Sequence, residues 1–404
     1  MIAAASAILI CVCNLHHPYK ADVSAEADSK ITNLYISSHS DAQIQQIDSI
    51  FNNIAATGNF SGTILIGQKG RVLYRQSAGM ADIITKEPIT DTTAFQLASV
   101  SKQFTAVAVL QLYEQGKLDI NEYACTYLPD FPYRNITIKQ MLTHRSGLPN
   151  YHYLLDRKPM RNDAFFSNQQ IISDLIEANE PAYFAPDRRF QYNNTGYAVL
   201  AAIVESVSGL KFETYLQQNI FGPLKMSNTF AYRAMKGVSY PPHAIGYVSR
   251  RKPATDNYLD HFLGDKGIYS SAADLFKWDQ GLYKGIILNP DTLQLAFQPM
   301  GIKRRTSGYN YGFGWRLSSF GSDSITIIFH NGCWHGFKTS LIRIPADTTT
   351  IVVLRNNSSK VGINTNNILN ILYPWATTNY VDSLPDDTEI DSTMLVPQEL
   401  STEQ

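Results

Sequence analysis

Charge of either sign is scarce and nearly balanced: of 404 residues, 34 are Lys or Arg and 35 are Asp or Glu. The two basic runs, Arg250-Arg251-Lys252 and Lys303-Arg304-Arg305, are too short to form a polyanion-binding surface, so nucleic acid is excluded as a partner. Cysteine is also rare. Cys11, Cys13, Cys125 and Cys333 are the four, and the first two fall in an apolar leader, which excludes a disulfide framework. Long apolar runs are missing, since Ile2 to Cys13 is too short to span a bilayer. A polar stretch follows it, as after the apolar part of a secretory signal, although the usual preceding Lys or Arg is absent. A signal or lipoprotein leader over residues 1–20 is therefore expected, with export to the periplasm or cell envelope. Membrane attachment through the N-terminus would require lipid on Cys11 or Cys13, and neither has a small residue before it.

Apolar residues make up 44% of the chain, enough for a large core in one big domain or two lobes. After a linker over 21–43, Ile44, Ile47, Phe51 and Ile54 mark an amphipathic helix. Ser61 to Gly67 and Arg71 to Arg75 read as a hairpin turning at Lys69-Gly70. Strand character returns at Ser324–Phe329, Lys338–Ile344 and Thr350–Leu354, and a last helix is expected from Asn364 to Leu372. Strands at both ends with helices between imply an α+β fold: an antiparallel sheet built from the two chain ends, flanked by helices, with a mainly helical lobe inserted over about 117–264. This gives one domain over 44–375. Residues 376–404 contain no Lys or Arg and form an acidic, solvated tail.

Chemistry concentrates at Ser99-Val100-Ser101-Lys102, which opens an apolar helical run through Phe104, Val107, Ala108 and Leu112 to Gly116. Residues three apart share a helix face, so a neutral Lys102 amine could take the Ser99 proton. Ser99 at a helix start would also have free N–H groups for an oxyanion. The same spacing occurs at Ser208–Lys211 and Ser249–Lys252, but a glycine breaks the first and Pro253 ends the second.

Proton relay to a leaving group needs a second acid/base residue. Tyr192-Asn193-Asn194, just before an apolar helical run, supplies a phenol in Tyr192 and a substrate-orienting amide in Asn194. Tyr133-Arg134-Asn135 has the same spacing but lies in a Pro-bounded loop. His330-Asn331-Gly332 follows a strand, and Gly332 would admit a substrate as an added strand. The N–H groups of Ser99 and Cys333 would form the oxyanion hole. A metal site at His330, Cys333 and His335 lacks a completing second cluster, so neither metal nor organic cofactor is expected.

These three motifs, in this order, resemble the Ser-x-x-Lys, Tyr-x-Asn and Lys/His-x-Gly motifs of the serine beta-lactamase and penicillin-binding protein superfamily, in its class C beta-lactamase-like branch. The flanks resemble it too, in Leu142-Thr143-His144-Arg145-Ser146-Gly147-Leu148, Gly267 to Leu275 and Tyr311-Gly312-Phe313-Gly314-Trp315. The resemblance covers Ile44 to Leu372 and implies a beta-lactamase/transpeptidase-like fold. It also implies acylation of Ser99, proton transfer by Lys102 and Tyr192, and substrate binding by Asn194, His330 and Gly332. His144 and Ser146 would be structural. His330 stands where antibiotic-hydrolysing class C enzymes carry Lys, the pattern of esterase and D-amino-acid peptidase members. The expected substrate is an ester or peptide amide, including D-amino-acid peptides of cell-wall origin. A true beta-lactamase or DD-peptidase, and a non-catalytic sensor, are the alternatives. No Gly-x-Ser-x-Gly elbow occurs, against an α/β-hydrolase.

Overall fold

The computed structural model describes residues 39–155, 158–159, 166–234, 239–249, 252–300, 310–320, 325–359 and 361–376. The expected leader, most of the linker and nearly all of the acidic tail lie outside them. Helix α1 (Asp41–Ala56) begins inside the expected linker, because Ser40 and Gln43 cap it reciprocally, with Gln43 N–H on Ser40 Oγ at 3.3 Å and Ser40 N–H on Gln43 Oε1 at 2.8 Å. Apolar periodicity cannot register so polar a first turn. Ile47 and Phe51 are its buried face.

Seven strands form the main sheet: β1 (Gly62–Gln68), β2 (Arg71–Ala78), β3 (Asn310–Tyr311), β4 (Arg316–Phe320), β5 (Ile325–Trp334), β6 (Phe337–Ile344) and β7 (Thr349–Arg355). Their order is β3-β4-β5-β6-β7-β1-β2, antiparallel throughout. The two chain ends meet where β1 pairs with β7, Ile64 opposite Val353. Lys69 and Gly70, both at positive φ, make the tight turn between β1 and β2.

Both faces of β1 are covered. Leu65 and Gly67 face helix α4 (Ala272–Tyr283), where a Cβ on Gly67 would come within 2.3 Å of the Phe276 ring. Ile66 lies opposite Tyr74 on the other face, where the Tyr74 hydroxyl donates to Asp48 of α1 at 2.9 Å. Each fully buried Leu or Ile here contributes roughly 1.5–3 kcal/mol. A buried ion pair between Asp279 of α4 and Arg343 of β6, with the Thr350 hydroxyl of β7 also on Asp279, ties helix to sheet. Helix α5 (Thr365–Leu372), with Asn364 as its cap, packs on α1.

Helix α2 (Ser101–Glu114) is buried from Ser101 to Leu112, so it runs through the core and packs on helix α3 (Asn194–Ser208). A small sheet of Phe95–Gln96, Ile268–Ser270 and Phe230–Ala231 holds the entry to α2. The expected meander is larger than three strands. Strand β4 carries polar residues at Arg316, Ser318 and Ser319, and this hid it.

Candidate active site

Ser99 lies half-buried in a single 3-10 turn, Ala98–Val100, that feeds directly into α2. Ala98 adopts φ +47°, an uncommon conformation for alanine. Packing imposes it: Leu97 N–H donates to Ile268 O at 2.7 Å, and Thr339 of β6 donates to Leu97 O at 2.8 Å. Strand β5 approaches closely, so a Cβ on Gly332 would stand 2.3 Å from Leu97 O and 3.0 Å from the Ala98 Cβ. Gly332 thus makes room for the nucleophile turn rather than for a substrate. Cys333, the next residue, is expected to offer its N–H beside that turn, and it remains half-buried at the end of β5.

Lys102 is fully buried, with Nζ 3.0 Å from Ser99 Oγ and 2.9 Å from the carbonyl oxygen of Asp265. Burial pushes its pKa down to about 7; the Asp265 charge opposes the shift and Arg316 reinforces it. Near neutrality a large fraction of the amine is uncharged and able to accept the Ser99 proton.

Tyr192 packs its ring 4.9 Å from Lys102 Nζ. Asn193 caps α3 through its side chain, which fixes Tyr192 just before the helix and Asn194 as its first residue. The Leu142–Leu148 segment braces this corner: Asn193 N–H donates to His144 Nδ1 at 3.1 Å, Asn193 Nδ2 to Leu148 O at 2.6 Å, and Gln191 N–H to His144 O at 2.9 Å. His144 stacks 4.3 Å from Tyr192, and burial with the charges of Lys102 and Arg316 holds it well below its usual pKa. Its part is structural, as the sequence suggested; Ser146 Oγ accepts only from Leu148 N–H, at 3.4 Å.

His330 lies inside β5, which continues four residues past it, rather than after a strand ending at Phe329. Its Nδ1 is 2.6 Å from the carbonyl of Asn331, so Nδ1 carries the proton and Nε2 accepts from the Tyr311 hydroxyl at 3.0 Å. With the ring fully buried and both nitrogens engaged, direct substrate contact by His330 does not match this geometry. Burial, Arg316 and Lys102 hold it neutral. The rival metal trio is not assembled. Among the described residues His335 clusters instead with Asp256 and Asp260, its Nε2 2.7 Å from Asp260.

The alternative motifs lie apart. Ser208 donates to Val204 O at 2.5 Å, Ser249 and Lys252 are exposed, and Tyr133 donates to Glu180 O at 2.7 Å.

The sequence matches the family model described as Beta-lactamase over residues 47–372. This chain belongs to the beta-lactamase family. It is a serine hydrolase of the serine beta-lactamase and penicillin-binding protein superfamily. A penicillin-binding protein of Bacillus subtilis strain 168 is 32% identical over 325 residues, 77% of this chain and 71% of that one. The crystal structure of a penicillin binding protein from Bacillus halodurans superposes with a TM-score of 0.69 at 27% identity, covering 80% of this chain and 98% of that one. D-amino acid amidase from Ochrobactrum anthropi SV3 shares the fold, with a TM-score of 0.65 at 22% identity over 85% of this chain and 98% of its own.

Within the family frame, this chain surrounds its Ser-x-x-Lys pair with charges that sequence reasoning missed. Buried Asp265 accepts from Tyr151 O–H at 3.1 Å on each oxygen and lies 3.3 Å from His152 Nε2 and 3.6 Å from Lys266 Nζ. Burial disfavours the Asp265 charge, but Lys266, His152 and Lys102 outweigh it and hold the carboxyl well below the usual range. Arg316, buried on β4, is the other. A signal did exist: Asp265-Lys266 is a charged pair set in the otherwise apolar, glycine-flanked stretch Phe262 to Ile268.

Proposed function

We propose that this enzyme hydrolyses esters or peptide amides through an acyl-enzyme at Ser99, with D-amino-acid peptides of cell-wall origin as the substrate class. The observation that carries the reading is the buried Lys102 amine, 3.0 Å from Ser99 Oγ and with its pKa pushed down to about 7. Lys102 takes the hydroxyl proton as Ser99 attacks the carbonyl carbon. The backbone N–H groups of Ser99 and Cys333 receive the oxyanion, and Tyr192 passes the proton to the leaving group. Water then attacks the acyl carbon and restores Ser99. D-amino acid amidase among the structural neighbours and penicillin-binding proteins among the relatives support this substrate class.

Those penicillin-binding relatives also favour a second reading, a DD-peptidase or beta-lactamase. The buried, neutral His330 weighs against it, because a drug carboxylate would lack a charged partner at that position. A panel of a p-nitrophenyl ester, a D-amino-acid p-nitroanilide and a chromogenic cephalosporin decides between them, with Ser99→Ala as control. Turnover of the ester or anilide, absent in the variant, is expected. Preferred turnover of the cephalosporin would overturn the reading in favour of the second.

A further inference from the structure

Asn194 is more than nine-tenths buried at the start of α3, and its two amide atoms have different surroundings. The nitrogen lies 3.4 Å from Nδ1 of His152, while the oxygen is buried with no hydrogen-bond partner among the described residues. A chain of hydrogen bonds beginning at Asp265 fixes this orientation. The ionised Asp265 carboxylate only accepts, so Nε2 of His152, 3.3 Å away, carries the ring proton. Burial lowers the His152 pKa, which keeps the ring neutral and leaves Nδ1 as an acceptor. An acceptor at Nδ1 can face only the NH2 group of Asn194, and that turns the amide oxygen away from His152. Asn194 follows Tyr192 by two residues, and the Tyr192 ring is 4.9 Å from Lys102 Nζ, so the oxygen borders the reacting centre.

We propose that Asp265 and His152 are positioning residues that present the Asn194 oxygen to the substrate as an acceptor, selecting substrates with an N–H donor, an amine or secondary amide, beside the scissile carbonyl. The inference rests on Ser99 as nucleophile. A buried acceptor without a donor is costly; a substrate N–H supplies the bond, whereas an N-methyl group leaves the oxygen orphaned.

The test compares kcat/KM for the p-nitrophenyl esters of N-acetyl-D-alanine and N-acetyl-N-methyl-D-alanine in wild type, His152→Leu and His152→Gln. Each enzyme supplies its own ratio, so a loss of folded protein cancels. Wild type is expected to prefer the N–H ester by on the order of tenfold. His152→Leu should lose most of that preference, because nothing then orients the amide. His152→Gln should keep it, since a glutamine amide can donate to Asp265 and accept from Asn194. Equal ratios in wild type and His152→Leu, or equal losses in His152→Leu and His152→Gln, would overturn the proposal. Fluorophosphonate labelling separates the two levels. Wild type that takes no label overturns the Ser99 reading and this one with it, whereas labelled wild type that cannot use or does not prefer the N–H ester overturns this one alone.

Discussion

Lys102 sits between two buried charges of opposite sign, and each moves its proton affinity in its own direction. Arg316 lowers the Lys102 pKa and Asp265 raises it, on top of the larger effect of burial. The general base must be neutral, so kcat/KM should rise with pH through about 7. Arg316→Gln should move that acid limb to higher pH and Asp265→Asn to lower pH. A pH–rate profile of the three proteins checks the signs, and shifts in one common direction would disprove this electrostatic account. At this scale Ser99, Lys102, Tyr192 and Asn194 were readable in the sequence, because local spacing and helix signals place them. Asp265, His152 and Arg316 were not, since each acts on a residue at least 42 positions away in sequence and only the tertiary fold brings it there.

Strand β5 and the Ala98–Val100 turn are in van der Waals contact, which makes glycine at 332 a requirement of packing. In Gly332→Ala the new methyl group must displace Leu97 and Ala98, at a cost of about 1–3 kcal/mol. The turn that holds Ser99 would move with them. Loss of fluorophosphonate labelling well beyond what the fall in melting temperature explains is therefore predicted; labelling at the wild-type rate would show that the close approach does not matter. A different element junction tests stability alone. Asp279→Ala leaves Arg343 buried without its carboxylate between α4 and β6, and about 3–5 kcal/mol should be lost in a denaturant titration. The hairpin β1–β2 and strands β5 to β7 were visible because apolar, β-branched runs mark them. The start of α1 and strand β4 were not, since a capping box and a half-polar strand carry no apolar period.

Across the whole molecule, the sheet closes by pairing β1 with β7, and the helical lobe between these strands brings Tyr192 and Asn194 against the Ser99 turn. Strand-rich ends around a helical middle gave this architecture away in the sequence. The central claim is that the assembly activates one hydroxyl. Intact-protein mass after fluorophosphonate exposure, followed against time and pH, tests it most directly. A single adduct is predicted on wild type and none on Ser99→Ala. The rate should climb through about pH 7 and fall roughly 10²- to 10⁴-fold in Lys102→Ala. An adduct that survives Ser99→Ala, or a rate indifferent to Lys102, would contradict the account.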